Sequence, residues 1–235
     1  MAESPVTLIT GGSRGIGAAV ARQLLDRGHR VAVTGRGREH LKRLAADLGA
    51  PDGLLTLTGH AADWDAVRGH VEATVSRFGR LDTAVANAGF AVHDSLADAD
   101  PERLKDMVLT NVLGPALLIK AALPALTATR GRIVLVGSVA GHIHTPGNFY
   151  GATKWALTGL AENTRLQVTG DGVGVTLVSP GATETGFFDA AGGLMERPGG
   201  YLPADQVAAA IVWAITQPPG VDVNTLTIRP VGSPR

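Results

Sequence analysis

Short apolar runs and helical stretches alternate along almost the whole of this chain, and that alternation restricts its fold more than any single motif. Residues 6–10 are mostly β-branched and apolar and end in Gly11-Gly12, after which residues 16–27 place their apolar side chains at helical intervals. The pairing returns at 31–34 with 38–48, at 54–58 with 64–78, and at 82–86 with a long helix within 101–127. It continues at 133–136 with 148–168 and at 173–178 with 203–217, before a last strand at 225–228. Short, continuously apolar strands that each feed an amphipathic helix assemble into a parallel sheet covered on both faces. The expectation is an α/β fold, a doubly wound parallel sheet of about seven strands. No linker divides two regimes of composition, so residues 1–235 read as a single domain. Residues 186–201 stand apart, because Gly192-Gly193 and Pro198-Gly199-Gly200 punctuate a stretch that is neither helical nor extended. A loop of that length reads as a lid.

Composition removes several classes of function. With 45% hydrophobic residues the chain can bury a real core, and 21 Lys+Arg against 21 Asp+Glu leave no broad positive field for nucleic acid. Without cysteine there is no disulfide framework, thiolate nucleophile or zinc–sulfur site, and no metal is expected. Met-Ala-Glu-Ser-Pro lacks the basic start of a signal peptide, and the longest apolar segment, 115–126, is interrupted by Lys120 and Pro124. These features predict a cytoplasmic protein with no membrane partner.

Thr10-Gly11-Gly12-Ser13-Arg14-Gly15-Ile16-Gly17 lies where the first strand becomes the first helix. Glycines there let the backbone turn tightly and let a pyrophosphate approach the free N–H groups of the helix start. An acidic residue closing the second strand would bind an adenosine ribose, whereas a basic one accommodates a 2′-phosphate. The residues present are Thr34-Gly35-Arg36, and Arg14 adds a second cation, so NADP(H) is predicted over NAD(H).

Tyr150 and Lys154 are four residues apart in a segment that Asn148 can cap, which places both on one helical face. An ammonium beside a phenol lowers its pKa, so the pair reads as a tuned proton donor. Ser138 closes the fifth strand and Asn87-Ala88-Gly89 the fourth, at the sheet edge where such folds bind ligands. Asn111, a poor helix former in an apolar setting, points to a specific hydrogen-bonding task.

With these motifs in order, the chain resembles the short-chain dehydrogenase/reductase family over nearly its whole length. The resemblance rests on the glycine turn, on Asn87-Ala88-Gly89, on Asn111, Ser138, Tyr150 and Lys154, and on Pro180-Gly181-Ala182-Thr183-Glu184-Thr185 after the sixth strand. It implies a Rossmann-like fold and hydride transfer between a nicotinamide and a small-molecule carbonyl or alcohol. Tyr150 would donate the proton and Ser138 would hold the carbonyl oxygen. Lys154 would bind the nicotinamide ribose and depress the Tyr150 pKa, and Asn111 would anchor a water. Gly11, Ser13, Arg14, Gly15, Ile16, Gly17, Arg36, Ala61, Asn87, Ala88, Gly89, Pro180, Gly181, Thr183 and Thr185 would join Tyr150 and Lys154 around the cofactor. The family also implies a homodimer or homotetramer, with the Asn111 and Tyr150 helices at one interface. Two alternatives are a non-catalytic NADP(H)-binding sensor and a sugar-nucleotide epimerase or dehydratase of the family's extended branch. Such sensors tend to lose the tyrosine, and the extended chains are longer, with a differently spaced glycine turn.

The chain departs from the family at three places. His60 stands where the family often has Asp or Asn for the adenine amino group, which leaves that contact open, although the Ala61 backbone remains available. Ala86 replaces a frequent second Asn, and the segment between Ser138 and Tyr150 is one residue short of the commonest spacing. Three loops are expected to line the substrate pocket: 90–93, 139–149 and the lid, whose Phe187, Phe188, Leu194 and Met195 are apolar. His142 and His144 read as plain loop residues, and Trp64, Trp155 and Trp213 as packing anchors.

Overall fold

The computed structural model describes residues 4–187, 193, 194, 196 and 198–233. Its main sheet has seven parallel strands: β1 (Val6–Ile9), β2 (Arg30–Gly35), β3 (Leu54–Thr58), β4 (Thr83–Ala86), β5 (Arg132–Val136), β6 (Gly174–Pro180) and β9 (Thr225–Ile228). They lie in the order β3-β2-β1-β4-β5-β6-β9. Helices α1 (Gly15–Leu25), α2 (Arg38–Asp47), α3 (Trp64–Phe78), α4 (Pro101–Val108), α5 (Gly114–Thr129), α6 (Phe149–Val168) and α7 (Ala204–Ile215) connect them. The sevenfold sheet and its crossover helices agree with the pattern in the sequence.

Alternation along each strand divides the interior into two cores. Leu8, Ile133 and Leu135 face a layer formed with Val67, Leu118, Leu126 and Leu157, while Ile9, Val134 and Val136 face Val20, Leu24, Val207 and Ile211. A strand buried on both sides is mainly apolar and β-branched, with threonine admitted at Thr7, Thr34, Thr83 and Thr176, which is why these strands read as continuous runs. Local chemistry sets the helix ends. Asp63 accepts from Ala66 N at 3.1 Å to cap α3, Asp100 accepts from Glu102 N at 3.0 Å with Pro101 behind it, and Gly79 closes α3 at φ 84°.

Two features depart from the expectation. First, the long helix is not uniform: α4 and α5 are joined by a π-turn, Leu109–Leu113, and α5 runs through Pro124 without a break. The combined run, Pro101–Thr129, is long and apolar enough to cross a bilayer, so Lys120 and Pro124 do not interrupt it as expected. Here it is a crossover helix, with Leu118, Ile119, Ala122 and Leu126 packed on the sheet. Second, residues 183–184 form a small parallel ladder, β7 (Thr183–Glu184), with β8 (Leu202–Pro203), which brackets the expected lid. Within that segment Phe188, Gly192 and Met195 lie outside the described residues.

The strand order reverses direction between β1 and β4. At such a switch the loops leaving the two strands diverge, and a crevice opens beyond their carboxyl ends.

Candidate active site

A cavity of about 1050 Å³ follows this edge, from Arg36 and His60 at one end to Ser138, Tyr150 and Phe187 at the other. The first end is built mainly of backbone. Gly11 has φ 63°, and a Cβ on it would sit 2.8 Å from the Ala88 Cα; a Cβ on Gly17 would sit 2.6 Å from the Asn87 Nδ2. The turn thus packs directly against the end of β4. Asn87 holds it there, donating from Nδ2 to the carbonyls of Thr10 at 3.0 Å and Gly11 at 2.9 Å. Helix α1 begins at Gly15 with no side-chain cap on its first turn, so its amide groups are left to an anion. Arg14, Arg36 and His40 line the same cavity. An uncapped helix start in a glycine cradle, with cations beside it, fits a dinucleotide phosphate.

The second end is built of buried side chains. Asn148 caps α6 by accepting from Gly151 N at 3.1 Å, and the first turn then presents Tyr150 and Lys154 on one face. Ser138 caps the short turn Val139–Gly141, its Oγ accepting from Ala140 N at 3.1 Å. Lys154 is 5% exposed and donates from Nζ to the Val136 carbonyl at 2.8 Å. Phe187 lies edge-on to Tyr150 with ring centres 5.4 Å apart. Asn111, in the π-turn, is fully buried: its Oδ1 accepts from Phe90 N at 3.0 Å. Its Nδ2 donates to Phe90 O at 2.9 Å and to Thr153 Oγ1 at 3.1 Å, and Thr153 donates to the Tyr150 carbonyl at 2.7 Å. This chain of bonds ties the π-turn to the helix that carries Tyr150.

The electrostatics differ from the expected tuning. Burial pushes the Tyr150 phenol up to about 12, with a contact from the Ser138 side chain pulling the other way. Burial also pushes Lys154 down to about 8. The Lys154 Nζ sits 5.6 Å from the Tyr150 ring centre and is directed to a carbonyl, so desolvation outweighs any depression of the phenol by the ammonium.

Most of the residues expected at the site line the cavity: Ser138, Tyr150 and Lys154, the turn residues Gly11 to Ile16 apart from Gly12, and Arg36, Ala61, Asn87, Ala88 and Gly89. Pro180, Gly181, Thr183 and Thr185 line it as well. Gly17 and Asn111 do not. Gly17 supports the turn from behind, and both amide hydrogens of Asn111 go to protein, one to Phe90 O and one to Thr153 Oγ1. His40 went unrecognised, although it lies only four residues after Arg36, in the first turn of α2. His142 is more than a loop residue, since its Nε2 meets the buried Ser179 Oγ at 2.8 Å. The tryptophans are only partly packed: Trp64, Trp155 and Trp213 are 36%, 41% and 51% exposed. Lys120 lies over the Trp64 ring and His144 stacks on Trp155.

Comparison with known proteins agrees with this geometry. The short chain dehydrogenase family profile matches residues 5–192. The chain is 35% identical over 239 residues to a serine 3-dehydrogenase of Agrobacterium fabrum, covering 97% of this chain and 94% of that protein. It is 36% identical over 238 residues to sulfoacetaldehyde reductase 2 of Chromohalobacter salexigens, covering 97% and 94%. Among solved structures, an alcohol dehydrogenase from the archaeon Thermococcus sibiricus, complexed with 5-hydroxy-NADP, superposes with a TM-score of 0.89 at 30% identity, covering 97% of each chain.

Proposed function

The chain belongs to the short-chain dehydrogenase/reductase family and is an oxidoreductase, and on that footing we propose that it moves hydride between NADP(H) and a carbonyl or secondary alcohol, with Tyr150 as general acid and base. The observation that carries this reading is the convergence of Tyr150, Ser138 and Lys154 at one end of a cavity whose other end is an uncapped helix start beside Arg14 and Arg36. When bound, the nicotinamide supplies or accepts the hydride.

The side chains do the rest. In reduction the Tyr150 hydroxyl passes its proton to the carbonyl oxygen, while the Ser138 hydroxyl donates a hydrogen bond to the same atom. Burial that holds the phenol near 12 keeps it protonated at neutral pH, the form reduction requires. Lys154 has three N–H groups and uses one on Val136, so the others are free to hold the nicotinamide ribose. Asn111 and Thr153 fix the height of α6 relative to Gly89, where an added Cβ would lie 3.1 Å from the Asn111 Oδ1. Arg14 and Arg36 favour a 2′-phosphate, and an NADP derivative occupies the similar archaeal alcohol dehydrogenase.

Phe90, Val92, Val139 and Phe187 give the substrate arm apolar walls, with His93 and Asp94 also lining it. A partly apolar carbonyl compound suits such walls, and residues 186–201 serve as the lid over it. Residues 1–235 act as one cofactor-binding and catalytic domain. Val108 and Leu113 on the Asn111 run, and Trp155 and Leu166 on α6, expose apolar surface for a homodimer or homotetramer.

Tyr150→Phe tests the central role. Against a panel of ketones, aldehydes and β-keto esters it abolishes NADPH oxidation while leaving NADPH binding, read by cofactor fluorescence, unchanged. Turnover within tenfold of the parent chain overturns the assignment. Tight NADPH binding by the parent with no oxidation by any carbonyl favours the sensor instead.

A further inference from the structure

The loop after β3 is held rigidly at the cavity edge. Gly59 N donates to Gly35 O at 3.1 Å, Asp63 N donates to His60 O at 3.1 Å, and the Ala61 carbonyl is backed by α5, since a Cβ on Gly114 would sit 3.0 Å from it. Within this loop His60 has a definite orientation. Its Nδ1 accepts from Ala62 N at 3.1 Å, the bond that an Asp or Asn side-chain oxygen makes to the amide two residues on. A ring nitrogen that accepts carries no proton, so the neutral imidazole carries its proton on Nε2. With Nδ1 turned to the backbone, Nε2 is the remaining polar atom of a ring that lines the cavity. An Asp in the same turn would spend one oxygen on Ala62 N and present the other. The scaffold is the same and the polarity is opposite: the acid offers an acceptor, His60 a donor.

Along the cavity, Arg36 follows β2 and the glycine turn leads into α1, and on the cofactor reading these would hold the phosphates and the adenosine ribose. The base would then lie further outward, over the end of β3. We propose that His60 reads the purine of the cofactor as a hydrogen-bond donor toward a ring nitrogen or a 6-oxo oxygen, so that the 6-amino group of adenine contributes little to recognition. The inference rests on the cofactor reading above. It makes His60 a specificity residue for the base, and the class of ligand it admits is a 6-oxopurine dinucleotide as well as the 6-amino one.

The test compares the dissociation constants of NADPH and of its hypoxanthine counterpart, in which the amino donor is replaced by an oxo acceptor, by fluorescence titration of the full chain. His60→Asp and His60→Asn both retain a side-chain oxygen for Ala62 N. The Asp variant presents an acceptor, whereas the Asn variant has its NH₂ turned outward as a donor. The ratio of the two constants, analogue over NADPH, rises at least tenfold from the parent to His60→Asp and stays within about threefold of the parent in His60→Asn, that tenfold being about 1.4 kcal/mol. Equal ratios in all three chains, with both cofactors still bound, overturn the inference and leave the cofactor reading intact. Failure of the parent chain to bind either cofactor overturns the cofactor reading itself, and this inference with it.

Discussion

Lys154 places a cation where water does not reach, and the cost can be read from pH. Its pKa falls from 10.5 to about 8 because burial penalises the ammonium, which a hydrogen bond to the Val136 carbonyl offsets only in part. Between those values the unfolded chain holds a proton at this site that the native chain has released, so stability rises with pH across the window. Below pH 8 both states are charged and the native state bears the full penalty, about 3 kcal/mol at 1.36 kcal/mol per unit. Lys154→Met removes the charge and keeps the volume. Relative to the parent, the variant therefore gains most at about pH 6.5 and loses about 2 kcal/mol of that advantage by about pH 9.5, where only the part of the penalty not yet relieved remains. The orphaned Val136 carbonyl and the packing of the methionine act equally at both pH values and cancel in the difference. Tyr150, raised from 10.0 to about 12, costs stability only as the pH climbs past 10. It is outside the window and common to both chains. Urea unfolding at fixed protein concentration gives the two differences. A gap between variant and parent that does not change with pH refutes the argument that Lys154 is charged and desolvated in the native state.

Arg36→Asp replaces the cation at the end of β2 with a ribose acceptor, and the NADPH/NADH ratio of kcat/KM falls at least tenfold; an unchanged ratio removes Arg36 from the cofactor site. In carbonyl reduction the alkaline limb of kcat/KM falls near pH 8, set by Lys154 rather than by the more basic Tyr150, and a profile flat to about pH 9.5 contradicts this. Asn111→Ala leaves three hydrogen bonds to Phe90 and Thr153 unmade and costs about 2–4 kcal/mol in urea unfolding, whereas a loss below about 0.5 kcal/mol shows that the π-turn holds without them.

What could be read in advance depended on how local its cause is. The inner strands were legible because they are buried on both faces and therefore mainly apolar and β-branched; α3 and the edge strand β9 even begin and end where the pattern places them. The glycine turn was legible because only glycine satisfies φ 63° at position 11 and the 2.8 Å approach to Ala88. Asn111 announced itself as a polar residue in an apolar helix, but its partners Phe90 and Thr153 lie 21 and 42 residues away, beyond any periodicity. The small β7–β8 ladder escaped because two residues per strand carry no alternation. The direction of the Tyr150 shift escaped for another reason. Spacing puts an ammonium near a phenol, but whether charge or desolvation wins depends on how the fold closes around Tyr150, with Phe187 against its ring.

The two ends of the cavity are built by different means, and their tolerance to substitution follows. At the phosphate end the contacts are mainly with backbone: a methyl at Gly11 meets the Ala88 Cα, and one at Gly17 meets the Gly11 carbonyl at 2.8 Å and the Asn87 side-chain amide that holds the turn. The Ala88 Cα and the Gly11 carbonyl are backbone and cannot move aside, and the Asn87 amide is pinned by its bonds to the turn, so even alanine disturbs both the turn and the strand beneath it. At the other end the reacting groups are side chains on a scaffold that Asn148, Asn111 and Thr153 hold independently of them. Removing the Tyr150 hydroxyl or the Lys154 amine breaks none of those scaffold bonds. Function and fold are therefore separable at Tyr150 and inseparable at Gly11 and Gly17, while Lys154 stands between them, since its buried charge and its bond to Val136 both bear on stability. The clearest evidence on chemistry will come from the near volume-conserving Tyr150→Phe, read against a cofactor affinity that the intact glycine turn preserves.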